Sequence, residues 1–352
     1  MKILFMMDRR VNAGSIQGVA NYVRIAHEFD YTIALYGRPD PRFPNIRFSS
    51  DVEQFDYVVF IVESGLLFMS GLRMPRVLAD VPRHRRAVLD ADGMYNERIT
   101  VDGYDRNHTT ESEKKQWLTY LNLLSDRIFQ PTYHPQLPGV MGVPFYGYDP
   151  RSHISATLSP DKRFDILHVA HNWWRWRDVS SRLLPALHQI RPRLDGVCFV
   201  GSWWDAPPAV VDPNLKLAFQ VEAESFPQFR IQIRPPVPFT DVIRTMSEGR
   251  INIMTQRPLF RCLRLLTSKY FEIFCADTIP LLMIDPDLAE SVYGPAGREL
   301  ALHECIAEKL LDAIERPRRY REIVEAVRCH LTRHHSYHNR LQELAAALTA
   351  QP

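Results

Sequence analysis

The sequence predicts an α/β protein built from two Rossmann-like domains whose parallel sheets face each other across a cleft. Three observations carry that prediction. Apolar runs of strand length alternate with amphipathic segments of helix length. The alternation occurs in two series, separated by a stretch rich in Pro and Gly. The length of 352 residues suits two domains of ordinary size, each able to bury its own core.

The first series opens with a strand at Ile3–Met7, a turn holding Gly14 and Gly18, a helix over Gln17–Phe29 and a strand over Tyr31–Tyr36. Strands follow at Tyr57–Val62 and Arg86–Leu89, then a helix over Ser112–Leu124 and a short strand at Arg127–Phe129. Pro131 to Pro160 lacks any period and reads as the connection. The second series has strands at Asp165–Ala170, Gly196–Val200, Arg250–Met254 and Ile279–Ile284. Helices are predicted over Ser180–Ile190 and Ser268–Ala276, and a helix pair broken by Pro317 follows His303. The domains are thus expected at 1–150 and 151–325, with a terminal helix over 326–352 placed to pack back on the first domain. Ligands of open α/β sheets bind at the carboxyl ends of the strands, so the cleft is the expected site.

Composition narrows the function. The formal net charge is only +2, which gives no reason to expect a nucleic-acid partner. The five cysteines are widely spaced without a Cys-x-x-Cys pair, arguing against a disulfide framework or a zinc site and fitting a cytoplasmic protein. No run approaches the roughly 20 apolar residues of a membrane span, leaving at most peripheral membrane contact. Gly14 and Gly18 are spaced Gly-x-x-x-Gly, which is not the dinucleotide fingerprint.

The most informative segment runs from Thr267-Ser268-Lys269-Tyr270-Phe271-Glu272 through Ala276 to the strand beginning at Ile279. With Gly297-Arg298-Glu299-Leu300 and the His-rich His335-Ser336-Tyr337-His338-Asn339-Arg340, it resembles the donor-binding third of GT-B glycosyltransferases, especially the spore-coat enzymes of the CgeB type. The resemblance implies transfer of a sugar from a nucleoside-diphosphate sugar, with Glu272 on the donor ribose and no cofactor or metal. Ser268 and Lys269 lie near a helix start, where free N–H groups and the dipole favour phosphate. The family carries Gly in the turn after this helix; Asp277-Thr278 stands there instead, which weakens a close backbone approach to phosphate.

Other segments fill out the expected site. Arg257, with Arg261 or Arg264, can hold diphosphate bidentately. His171-Asn172-Trp173-Trp174-Arg175-Trp176 follows a strand and offers Asn172 and Arg175 to the donor. Gly201-Ser202-Trp203-Trp204 resembles a Gly-x-x-Trp turn bordering the base pocket, although packing serves equally as its role. On the acceptor side stand the turn glycines Gly14 and Gly18, with Asp92 and His108 as candidate general bases. His330, His334 and His338 recur every fourth residue, but no acidic partner lies near and no metal site is expected. A non-catalytic nucleotide- or carbohydrate-binding protein and a sugar-nucleotide epimerase remain as alternatives.

Overall fold

The computed structural model describes residues 1–7, 14–63, 81–96, 111–154, 162–209, 211 and 213–350. Seven parallel strands form the N-terminal sheet: β1 (Lys2–Met7), β2 (Thr32–Tyr36), β3 (Phe48–Ser49), β4 (Tyr57–Val62), β5 (Arg86–Asp90), β6 (Ile128–Gln130) and β7 (Val140–Gly142), in the order β3-β2-β1-β4-β5-β6-β7. Five parallel strands form the C-terminal sheet: β8 (Phe164–Val169), β9 (Val197–Val200), β10 (Ile231–Arg234), β11 (Gly249–Met254) and β12 (Ile279–Leu282), in the order β10-β9-β8-β11-β12. The expected α/β fold of two parallel sheets is the observed one. Strands such as β4 and β8 are apolar almost throughout because helices cover both faces of a parallel sheet.

The principal helices are α1 (Gly14–Ile25), α2 (Glu111–Leu124), α3 (Leu184–Ile190), α4 (Pro258–Leu263), α5 (Lys269–Cys275), α6 (Pro286–Tyr293), α7 (Ile306–Glu315), α8 (Pro317–His334) and α9 (Tyr337–Thr349). Helix α1 buries Ile16, Val19 and Tyr22, three and four residues apart, against the sheet. Gly14 and Gly18 lie inside this helix, which corrects the expected flexible turn. A methyl group on Gly18 would sit 2.6 Å from the Phe145 ring, so the glycine is there for close packing.

Pro317 stands at the first turn of α8, where its missing N–H costs nothing. Ser336 then caps α9 through a reciprocal pair with Asn339. That cap separates His338 from the helix carrying His330 and His334, so the three imidazoles do not share one helical face. His338 instead lies 2.7 Å from Glu28. Among the described residues no group of three His, Cys, Asp or Glu side chains is arranged to hold a metal ion.

Helix α8 packs on the C-terminal half, with Arg328 donating to the Phe274 and Ala276 carbonyls. Helix α9 packs on α1 in the N-terminal half, with Tyr337 and Tyr22 edge to face at 5.7 Å. The two passages of chain between the halves lie side by side, Tyr148 donating its N–H to the His335 carbonyl at 2.7 Å. No described helix is long and apolar enough to cross a membrane.

Candidate active site

The carboxyl ends of both sheets open onto one cleft. Gly14, at the start of α1, lies so close to the C-terminal half that an added methyl would be 2.5 Å from the Ser268 hydroxyl. Leu266 donates its N–H to the Pro131 carbonyl at 2.7 Å, just beyond β6. Gly93, just beyond β5, abuts Leu263 and Leu265.

Helix α5 carries the donor-side candidates. Tyr270, Phe271, Phe274 and Cys275 are buried and anchor it. Lys269 and Glu272 therefore share the opposite, half-buried face, one helical turn apart. The Lys269 ammonium donates to the Val169 carbonyl at the end of β8. Burial, followed by the neighbouring Arg175 charge, holds its pKa down to about 8, against the opposing pull of Glu272. Burial pushes the Glu272 carboxyl up, while Lys269 and the Ser268 hydroxyl pull it down. The charge of Glu272 also reaches Tyr146 in the inter-domain connection and Tyr337 on α9, so the carboxylate stands at the junction of the halves.

The loop after β8 completes this wall. Arg175 donates to the His171 carbonyl at 3.0 Å, and its charge acts on both Lys269 and His171. The His171 Nδ1 accepts the Ser202 N–H at 3.0 Å, which puts the ring proton on Nε2. Burial, then Lys269 and Arg175, lower His171 to about 4, so the imidazole is neutral. Asn172 is fully buried and donates to the Trp203 and Gln220 carbonyls at 3.0 and 2.9 Å. It ties three loops together and is a positioning residue, a correction to its expected contact with the donor. Trp174 and Trp203 adopt left-handed φ values of 58° and 68°, an unfavourable state for bulky residues that these hydrogen bonds hold in place.

The structure also places Gly201, Arg257, Arg261 and the Asp277-Thr278 turn. Gly201 has φ of 156°, and a methyl group there would lie 2.0 Å from the Ala170 carbonyl, so this glycine serves the contact between the ends of β8 and β9. Arg257 is only 5% exposed; it donates to Asp92 at 2.6 Å and lies 3.6 Å from the Phe260 ring centre. It thus latches the two halves, and both it and Asp92 are engaged with each other. Arg261 pairs with Asp178. The Asp277-Thr278 turn sits at the amino end of β12, the end of the sheet away from the cleft. Asp277 pairs there with Lys162 at 2.7 Å, so its departure from glycine does not touch phosphate geometry. His108 lies outside the described residues.

One cleft residue escaped the sequence reading. Glu63 follows β4 directly, and the register Val62↔Asp90 sets it beside Ala91 at the carboxyl end of the sheet. Burial, then the Asp92 charge, pushes its carboxyl up to about 7, opposed by Ser15 and Arg257. The only signal in the sequence was an acid ending an apolar run.

Two parallel sheets thus meet at one cleft, with Lys269, Arg175 and Glu272 on one wall and Glu63 and Asp92 on the other, the place where open α/β sheets bind ligands. Residues 177–346 match a family model described as glycosyl transferase-like. A T4 phage β-glucosyltransferase in complex with UDP-glucose is 10% identical over 99% of this chain and 100% of that one, with a TM-score of 0.56. An α-glucosyltransferase in complex with UDP and a 13-mer DNA is 11% identical over 99% and 100%, with a TM-score of 0.58. The T4 β-glucosyltransferase in complex with UDP and Mn²⁺ is 10% identical over 99% and 100%, with a TM-score of 0.54. No curated protein matches the sequence. Residues 177–346 thus carry a glycosyl transferase-like region, within a chain whose two parallel sheets have the GT-B fold of these glucosyltransferases.

Proposed function

We propose that the enzyme binds a uridine diphosphate sugar against the C-terminal wall, with its diphosphate at Lys269 and Arg175, and passes the sugar to an acceptor hydroxyl entering from the N-terminal wall. The observation that carries this reading is the Lys269–Glu272 pair on one face of α5, with the ammonium already turned to the carboxyl end of β8. A cation whose pKa is depressed to about 8 is under-neutralised, and a diphosphate supplies the missing negative charge. Glu272 can accept from both ribose hydroxyls, since a carboxylate offers acceptors only. Ser268 lies beside it at the start of the helix.

Side-chain cations are the proposed counter-charge for the departing diphosphate, without a metal ion. The UDP in the structures of similar fold favours uridine as the base, and their UDP-glucose favours a hexose. The acceptor is left to experiment, with a DNA duplex included among those tried.

Thermal unfolding with UDP, GDP, ADP, CMP and dTDP sugars tests the donor. UDP sugars are expected to give the largest rise in Tm. Glu272→Ala is expected to keep the fold and weaken UDP binding by about tenfold or more, the worth of hydrogen bonds to a charged group. Unchanged UDP affinity in this variant would exclude Glu272 from the ribose. Turnover that persists in EDTA supports charge neutralisation by side chains, and its loss refutes it.

A further inference from the structure

Transfer to a hydroxyl releases a proton; of the two acceptors for it that the sequence offers, Asp92 is held by Arg257 at 2.6 Å and His108 lies outside the described residues. Glu63 stands in the same wall without an ion pair among the described residues. It is the first residue past β4, a central strand of the N-terminal sheet. It faces Ser15 of α1, and Ser15 is the neighbour of Gly14, which abuts Ser268 at the start of the donor helix. Charges that reach it come from Asp92 beyond β5 and Arg257 beyond β11, and Tyr146 of the connection lies close to it. Glu63 thus lies within a few side chains of Lys269 and Glu272, but on the other wall.

We infer that Glu63 is the general base of transfer and that the reaction inverts the anomeric carbon. This rests on the donor reading given above. The acceptor hydroxyl gives its proton to the Glu63 carboxylate while its oxygen lone pair forms the new bond to the anomeric carbon. The bond from that carbon to the diphosphate oxygen breaks, and its electron pair leaves on the nucleoside diphosphate, opposite Lys269 and Arg175. A single displacement, with the base on one wall and the counter-charge on the other, brings the entering oxygen in opposite the leaving one and so inverts the anomeric carbon. A carboxyl poised at about 7 is well matched to this role at neutral pH.

The experiment uses the full chain and UDP-glucose with water as the acceptor, which needs no knowledge of the natural one. UDP-glucose binding is read by thermal shift, UDP release by a coupled assay, and the first-formed glucose anomer by proton NMR. UDP-glucose has an α linkage, so inversion yields β-glucose before mutarotation. The expected results are β-glucose, a rate that rises with pH through about 7, and a loss of 10²-fold or more in Glu63→Gln with UDP-glucose binding unchanged. Glu63→Asp should recover part of the rate, which a purely structural role would not give. Asp92→Asn should move the pH limb downward, because it removes a like charge and frees Arg257 to act on Glu63. Binding with α-glucose as first product, or with a Glu63→Gln rate equal to the parent's, overturns this inference alone. Absence of UDP-glucose binding or release in the parent overturns the donor reading and this inference with it.

Discussion

Replacing Lys269 with Met separates the two things this residue does. Its ammonium titrates near 8 in the folded chain against 10.5 for a free lysine. That gap corresponds to about 3 kcal/mol of unfavourable free energy at neutral pH. The folded pKa is the lower one, so the unfolded chain binds more protons between pH 8 and 10.5. Stability therefore rises with pH across that window, and the full penalty applies below about 8. Methionine keeps the length of the side chain and removes the charge. The change forfeits the hydrogen bond from the charged ammonium to the Val169 carbonyl, about 2 kcal/mol. It also takes away the charge that steadies Glu272, whose carboxyl then protonates more readily. A net gain of about 1 kcal/mol remains, or a Tm higher by about 2–4 °C. The same substitution should abolish stabilisation by UDP, worth about 2.7 kcal/mol in the parent at a hundredfold excess over Kd. Thermal unfolding of parent and Lys269→Met, with and without UDP and from pH 6.5 to 10, reads both effects. A lower Tm in Lys269→Met, or an equal response to UDP in both proteins, refutes the account of a strained cation kept for the donor.

Asp277→Ala should leave Lys162 buried without its counter-ion and cost about 3–5 kcal/mol in urea unfolding. The UDP shift of the folded fraction should survive, because that turn lies at the far end of the sheet; its loss would bring the turn back into the donor site. Gly201→Ala forces a methyl group to within 2.0 Å of the Ala170 carbonyl and should destabilise by more than about 2 kcal/mol. Because Trp204 donates to the same carbonyl at 2.6 Å, near-ultraviolet circular dichroism should change with it; an unaltered spectrum and stability would contradict the packing role.

The parts of the fold legible in the sequence were those with a strong local signal. Ile3–Met7 and Tyr57–Val62 are continuous apolar runs because both faces of their sheet are covered, and they became β1 and β4. By contrast, β10 is an edge strand whose side chains are largely exposed or half-buried, and β7 interrupts a stretch read as connection, so neither carried a pattern. Helix α5 was recognised with its anchors because Phe271 and Phe274 recur at helical spacing. Which end of that helix meets the cleft is a tertiary fact, so the sequence alone puts the Asp277 turn near phosphate although it lies at the other end of the sheet. Arg257 looked like a loop cation; its partner Asp92 lies 165 positions earlier. Glu63 acquires its meaning from strand order, since only the neighbours β1 and β5 bring Ser15 and Asp92 beside it. Pairings between distant segments leave no periodic trace in a single chain.

The side-by-side passages at Tyr148 and His335 limit how the cleft can open. A chain that crossed once would let the halves tumble or drift apart, whereas two crossings joined by a hydrogen bond behave like paired pins along one edge of a door. Swinging about that edge is the motion left cheap, and it parts the Arg257–Asp92 pair together with the Gly14–Ser268 and Gly93–Leu263 contacts. The cost of admitting substrate and releasing product is then set by those few contacts.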